Sequence, residues 1–345
     1  MKGLFDTSSD LAAFVRGLPP EHRERLTFHL PLEVQALEVA GADRHKITDR
    51  VEQRLPAAFS SSLVDPPMFR WAERHYGGVG EGLLATRPAD RRQAFEQVLA
   101  LGPGLAGGAF HPLIRFGYGA LRGDPREITR GLAYLRVRRQ VLFARPVRPA
   151  GPTELAMPTP EELDGTSVFD QLDLVAGERA LLGDGPEPPL PSVAELAETA
   201  TGLVLHDPGS FIAVHTVTGL HGLVEVDRLV TGRDHLGGVP DDPLLASWWQ
   251  AMADAITACA AVVAMAGPAP VAPGEVPVDL DALVARAVDS PEVHDLKISV
   301  SLRRLAALGV LPPARALEVG AAKLAATAAP DPQCLDEQEK GTPSR

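Results

Sequence analysis

Along most of this chain, apolar residues recur every three or four positions, which is the spacing of amphipathic helices. In the first half, this pattern predicts helices over residues 10–54 with proline breaks, 69–101, 113–121 and 126–143. In the second half, it predicts helices over residues 192–201, 210–231, 244–266, 291–308 and 313–328, with a proline-rich loop at 267–278. Sustained two-residue alternation, which is typical of strands, is not found. We therefore predict an all-α fold.

The helical segments predict one large domain over residues 1–328. Inside it, residues from about 145 to 191 are rich in proline and acidic side chains and show little periodicity. Such a stretch is typical of a long excursion over the surface, an ordered lid or a boundary between domains. Residues 329–345 are polar and are expected to form a disordered tail.

Charge and cysteine content narrow the classes of partner. The net charge of -12, without basic runs, argues against nucleic acid or an anionic membrane as partner, because both require a basic surface. The longest apolar run, residues 255–266, is too short to span a bilayer. Cys259 and Cys334 are too far apart in sequence to indicate a disulfide framework or a thiolate metal site, so a cytoplasmic location is expected. The sequence does not predict an oligomeric state.

One predicted helix carries a lysine among its inward positions. Ser290 is a suitable N-cap, and Pro291 is suited to the first helical position. At about 100° per residue, His294 and Lys297 share the apolar face, while Asp295 points away from it. A buried ammonium group is costly unless it loses its proton or is paired. The alternative is a lysine at the helix edge whose amine reaches solvent.

A second candidate lies on the predicted helix 210–231. His215 shares a face with Phe211 and Gly219, and the small residue leaves room for a ligand or for close helix packing. His221 lies about 240° around the helix from His215, so one straight helix cannot direct both side chains to one point. We favour His215 and keep His221 as its substitute. An ordinary core histidine is the alternative interpretation of either one.

Two further histidines precede prolines that can open a helix. His29 lies two positions before Pro31, and His111 directly precedes Pro112. Proline disfavours a helical conformation in the residue before it, so each histidine is expected near a helix cap, projecting into a cleft. With His215 and the helix that carries Lys297, they resemble metal sites of helical bundles, where facing helices each donate ligands. Neutral imidazoles with an anionic oxygen ligand suit iron, zinc, copper or nickel.

Four stretches of the chain resemble the recurring motifs of the questin oxidase-like family, in the same order. They are residues 28–32 (FHLPL), 107–114 (GGAFHPLI), 215–221 (HTVTGLH) and 293–297 (VHDLK). Members of that family open a ring of polyketide-derived anthraquinones with molecular oxygen, in an oxidation described as Baeyer-Villiger-like and NADPH-dependent. The resemblance covers residues from about 26 to 324 but is weak between the motifs.

The resemblance also implies a ligand set and co-substrates. It implies that Fe(II) is bound by four histidines and one carboxylated lysine, listed here as His29, His111, His215, His294 and Lys297. It further implies O2 as co-substrate and a small aromatic molecule as substrate, and it leaves the need for NADPH open. Phe28 departs from the asparagine usual before the first histidine, which puts a hydrogen bond near that histidine in doubt. Candidate walls for an aromatic substrate are Phe110, Phe116, Trp248 and Trp249.

Two other classes of function compete with an oxygenase. The pairs His206-Asp207 and His294-Asp295 are similar to the His-Asp pairs of helical metal-dependent phosphohydrolases. A non-catalytic helical scaffold, in which the histidines cap helices and satisfy a core, is the third class. The Gly102-x-Gly104-x-x-Gly107 pattern does not follow a strand, so it indicates a turn rather than a dinucleotide site.

Overall fold

The chain folds into helices joined mostly by short loops. The structure, a computed structural model, describes residues 8–22, 28–60, 63–99, 104–138, 189–234, 238–268 and 276–328. The helices in these ranges are α1 (Ser8–Gly17), α2 (Leu30–Ala40), α3 (Arg44–Ser60), α4 (Phe69–His75), α5 (Val79–Leu83), α6 (Pro88–Leu99), α7 (His111–Arg122), α8 (Pro125–Arg138), α9 (Val193–His206), α10 (Phe211–Thr231), α11 (Ala246–Ala266), α12 (Leu280–Asp289), α13 (Val293–Ala307) and α14 (Pro313–Ala328).

Strand structure in the described residues is confined to one short antiparallel pair. Strands β1 (Glu21–His22) and β2 (Leu63–Val64) contribute two residues each. The predicted all-α fold is therefore confirmed. Among the described helices, none is both long enough and apolar enough to cross a membrane.

Four helices pack as a ring of neighbours. Helix α10 packs against α7 and α13, and α2 packs against the same two helices. Helix α10 is buried along nearly its whole length, so polar side chains on it face protein rather than solvent. The same four helices carry the four histidines that the sequence singled out.

Glycines let two members of this ring approach closely. A Cβ atom placed on Gly117 of α7 would lie 2.4 Å from the Cα of Gly222 on α10. One placed on Gly219 would lie 2.8 Å from the ring of Phe110. The small residues near His215 therefore serve helix packing, which answers the alternative that the sequence left open.

Several predicted boundaries were wrong. Helix α12 was missed, although Asp279 caps it and Leu280, Leu283 and Val284 follow at helical spacing. Ser290 is the C-cap of α12 rather than the N-cap of the next helix, and Glu292 caps α13. The expected excursion at 145–191 lies outside the described residues except for its last three positions, and the tail at 329–345 lies wholly outside them.

Candidate metal centre

The four histidines come together at the N-terminal ends of the four ring helices. Each offers one ring nitrogen, and these atoms all lie within 4.8 Å of one another. They form a cluster that consists of His29, His111, His215 and His294. Helix N-termini carry partial positive charge, so the convergence of four of them disfavours protonated imidazoles and favours neutral rings with an anionic ligand.

His29 and His111 lie at helix starts, as their prolines predicted, His29 as an N-cap and His111 as a first helical residue. His29 is the N-cap of α2, and its backbone carbonyl accepts a hydrogen bond from the Glu33 amide at 2.9 Å. His111 is the first residue of α7 and follows a turn of left-handed residues. In that turn, Gly108, Ala109 and Phe110 have φ angles of 61°, 51° and 63°. Left-handed backbone is costly for residues with a side chain, so the surrounding structure must compensate for the conformation of this turn.

Three of the rings are oriented by hydrogen bonds at their Nδ1 atoms. His111 Nδ1 donates to the Gly108 carbonyl at 2.6 Å, and His215 Nδ1 donates to the Phe211 carbonyl at 2.7 Å. His294 Nδ1 contacts a carboxylate oxygen of Glu292. Carbonyl and carboxylate oxygens only accept, so the ring proton of these histidines lies on Nδ1. Each neutral ring then presents the bare lone pair of Nε2 to the centre of the cluster.

The Nε2 atoms of the cluster lie very close together. His111 Nε2 is 2.8 Å from His29 Nε2 and 3.0 Å from His215 Nε2. Between His111 and His215 no ring proton is available to bridge the two nitrogens, so their lone pairs oppose each other. His294 Nε2 is buried and has no hydrogen-bond partner. A shared cation would satisfy all these atoms, which is the reason a histidine cluster of this kind indicates a metal site.

Burial keeps three of the four histidines neutral. It lowers the pKa of both His111 and His215 well below the usual value of 6.5, and the nearby Lys297 amine lowers it further. It also lowers the pKa of His294. Metal ligation requires the neutral ring, so these three histidines are already in the ligating state near pH 7.

Lys297 lies beside the cluster and is fully buried. Its Nζ atom is 3.5 Å from His215 Nε2, too far for a strong hydrogen bond. Its side chain has 0% exposure, which excludes a lysine that reaches solvent from the helix edge. Burial lowers the pKa of the amine from 10.5 to about 7, so a large fraction is unprotonated and nucleophilic at neutral pH.

Two acidic residues near the cluster were missed by the sequence analysis. Glu292 caps α13 through the His294 amide and also contacts the His294 ring. The hydrogen bond to His294 lowers the pKa of Glu292 to about 2. Glu33 is buried on α2 and pairs with Arg50 at 2.6 Å. Glu292 was overlooked because the start of α13 was predicted two residues too early; a carboxylate two positions before a histidine was the available signal.

His221 is not part of the cluster. Its Nδ1 atom is 3.0 Å from the Ser301 hydroxyl, and its Nε2 atom is 3.7 Å from a Glu225 oxygen. Glu225 is held in turn by Arg304 at 2.6 Å. The cluster thus takes His215 from α10, as the helical angle between the two histidines predicted.

Asp295 does not face solvent, contrary to our prediction. It is 1% exposed and accepts hydrogen bonds from Ser290 at 2.6 Å and from Thr327 at 2.8 Å, with Lys323 at 3.1 Å. The outward position was wrong because α14 covers the side of α13 opposite to the ring. Asp295 therefore ties α13 to α14 and is engaged away from the cluster.

The predicted aromatic walls belong to the ordinary core. Trp248 is fully buried against Phe95 and Phe116, and the Trp249 indole donates to Asp227 at 2.7 Å. The aromatic ring that contacts the cluster is Phe211, whose centroid is 4.0 Å from that of His215. Phe28, the departure from the family motif, packs in the core and is 6% exposed.

No family model matches the chain, and neither a curated protein nor a solved structure matches it.

Proposed function

We propose that this protein is an iron-dependent oxygenase that cleaves a ring of an aromatic polyketide such as an anthraquinone. The metal would be held by the four clustered histidines and by carboxylated Lys297. The observation that carries the proposal is the set of Nε2 atoms, bare at three of its four rings, buried together with a lysine of lowered pKa. Sequence motifs similar to those of questin oxidase-like proteins supply the reaction class.

The nitrogens lie close enough together to share one ion. His111 Nε2 is 2.8 Å from His29 Nε2 and 3.0 Å from His215 Nε2, and all four ligand atoms lie within 4.8 Å of one another. Imidazole nitrogens suit iron, zinc, copper or nickel, and the choice of iron rests on the resemblance to questin oxidase-like proteins.

The lysine gives the cluster its negative charge. The unprotonated Lys297 amine attacks CO2, a nitrogen–carbon bond forms, and one proton leaves, which yields a carbamate with an anionic oxygen. That anion suits the converging helix N-termini better than an ammonium group would. Iron, when bound, would supply the activation of O2 that amino-acid side chains cannot provide. The surrounding helices exclude bulk water from His111 and His215.

The rival phosphohydrolase has less support in the described residues. The cluster contains no carboxylate, and Asp295 is bonded to Ser290, Thr327 and Lys323. The Asp207 carboxylate accepts a hydrogen bond from the Gly209 amide at 3.0 Å, beyond the end of α9. Neither His-Asp pair is therefore assembled as that class requires. The scaffold alternative is separated from an enzyme by metal content.

The first experiment measures metal content and oxygen uptake. Protein purified without chelator should carry about one equivalent of a first-row transition metal, and the iron-loaded form should consume O2 when given a hydroxyanthraquinone, tested with and without NADPH. Lys297→Ala and Lys297→Arg should both lose metal or activity, because neither side chain can form a carbamate. A small carboxylic acid should partly restore Lys297→Ala.

His215→Gln and His221→Gln form a matched pair on one helix, and only the first should reduce metal content. ¹³C NMR after incubation with labelled bicarbonate should show a carbamate signal in wild-type protein that is missing from both lysine variants. Absence of metal, with no gain on anaerobic reconstitution with iron, would favour the scaffold. Release of phosphate from a phosphate ester, without oxygen uptake, would favour the phosphohydrolase.

A further inference from the structure

Phe211 contacts the cluster and is also open to solvent. It is the first residue of α10 and is 40% exposed. Its ring centroid is 4.0 Å from that of His215, 5.6 Å from that of His294 and 6.2 Å from that of His111. One part of the ring thus covers three histidines while another part is accessible to solvent.

The accessible side of the cluster is the side on which Phe211 lies. His111 and His215 are 1% and 0% exposed, so a ligand cannot approach past them. The His294 side chain is 17% exposed, and His29 is also partly exposed. Within the part of the chain that the structure describes, a molecule that comes from solvent therefore reaches the cluster past His29, His294 and Phe211.

The backbone that carries Phe211 is fixed at the start of α10. Ser210 caps α10 by accepting a hydrogen bond from the Ala213 amide. The Phe211 carbonyl accepts the His215 Nδ1 hydrogen bond at 2.7 Å. The ring itself packs on His215, at a centroid distance of 4.0 Å. A ring on a fixed backbone that already packs against a buried side chain has less conformational freedom to lose when a ligand binds than a ring on a mobile loop.

We propose that the exposed face of Phe211 is a stacking platform that selects planar aromatic ligands at the entrance to the cluster. Aromatic rings prefer offset-stacked or edge-to-face contacts with other aromatic rings, beyond the gain from buried area alone. Phe211 would hold a flat ligand beside the histidines and discriminate against a puckered one of similar size. This inference rests on the proposed function, since it gives that reaction a residue that positions its substrate.

The test compares a flat ligand with a saturated one. The full-length protein as purified is kept without oxygen, so that no turnover follows, and binding of 2-naphthol and of decahydro-2-naphthol is measured by calorimetry. The ratio of the two affinities isolates aromatic stacking, because both ligands carry one hydroxyl group on the same two-ring skeleton. In Phe211→Leu, which keeps an apolar side chain, the affinity for 2-naphthol relative to that for decahydro-2-naphthol should fall about 2- to 10-fold. Phe211→Tyr should keep the wild-type ratio.

Trp71→Leu is the matched control. Trp71 is 43% exposed and stacks on His75 at a centroid distance of 5.0 Å, but its helix α4 packs against α8. Its replacement should leave the ratio unchanged. Three results would each overturn the platform. They are an unchanged affinity ratio in Phe211→Leu, tighter binding of both ligands to that variant, and no binding of 2-naphthol to wild-type protein. The proposed oxygenase activity is tested separately, by oxygen uptake and metal content, so failure of the platform would not contradict it.

Discussion

At the scale of single residues, Glu292 has two separable roles, one in the helix and one in the cluster. It caps α13 by accepting from the His294 amide at 3.0 Å, and its carboxylate also contacts the His294 ring. A carboxylate on the outer nitrogen of a ligating histidine fixes the ring and raises its basicity. The cap contributes to stability, whereas the ring contact would contribute to the affinity for the proposed metal.

Replacing Glu292 should therefore affect metal binding more than folding. Glu292→Ala should cost about 1 kcal/mol of unfolding free energy through the lost cap. It should also weaken metal affinity about 10- to 100-fold, measured by competition with a chelating dye. Asp279→Ala is the control, because Asp279 caps α12 in the same way by accepting from the Ala282 amide at 2.8 Å. Equal metal affinity in both variants would show that Glu292 is only a cap.

At the scale of elements, the separation of α7 and α10 sets the distance between two histidines. Gly117 of α7 faces Gly222 of α10, and a Cβ on Gly222 would lie 2.9 Å from the Leu113 carbonyl oxygen. Both contacts are with backbone, which cannot rotate away as a side chain can. His111 begins α7, and His215 lies near the start of α10, so any displacement of these helices alters their 3.0 Å contact.

Enlarging that crossing should loosen the cluster. Gly117→Ala should destabilise the protein by about 1 to 3 kcal/mol, despite the higher helix propensity of alanine, because the added methyl overlaps the neighbouring backbone. Metal affinity should fall with it. Gly202→Ala on α9, where the nearest atom would be 4.0 Å away, should instead stabilise the protein by up to about 1 kcal/mol. Thermal unfolding and metal titration of both variants check this, and similar behaviour of the two would refute tight packing at Gly117.

The elements also show where the sequence was informative. Prolines after His29 and His111 located the helix starts correctly, because proline is favoured in the first turn of a helix, where its missing amide is not needed. The expected non-helical conformation before each proline was wrong, since Leu30 and His111 both belong to their helices. The prediction of a single buried face for α13 was wrong, because other helices cover it on several sides. They are α2, α10, α12 and α14. Periodicity reports one buried face only when the opposite face is in water. The approach of α7 to α10 depends on glycines far apart in sequence, which no local pattern pairs.

At the scale of the whole molecule, burial of Lys297 lowers the stability of the metal-free fold, whereas its proposed role as a ligand would increase metal binding. The folded protein buries an amine whose pKa falls from 10.5 to about 7, whereas the unfolded chain keeps it protonated up to about pH 10.5. Between these values the unfolded state binds more protons, so stability rises with pH and the cost of burial is greatest at pH 7 and below. His111 and His215 add a similar rise below about pH 6.5, since their pKa values are also lowered.

Lys297→Met should separate these effects, because methionine fills a similar volume without an amine to desolvate. In metal-free protein at pH 7, the variant should be more stable than wild type by an amount on the order of a few kcal/mol. The gap should close as the pH approaches 10. Below about pH 6.5 the variant should also lose part of the histidine contribution, because the Lys297 amine is one cause of the lowered pKa of His111 and His215. With metal and bicarbonate the order should reverse, because only wild type gains the binding free energy of a complete ligand set. Denaturant unfolding of both proteins at pH 6, 7, 8.5 and 10, with and without metal, measures the stability difference, its change with pH and its reversal. A metal-free variant less stable than wild type at pH 7 would mean that the buried lysine supports the fold, and its retention would then need no ligand role to explain it.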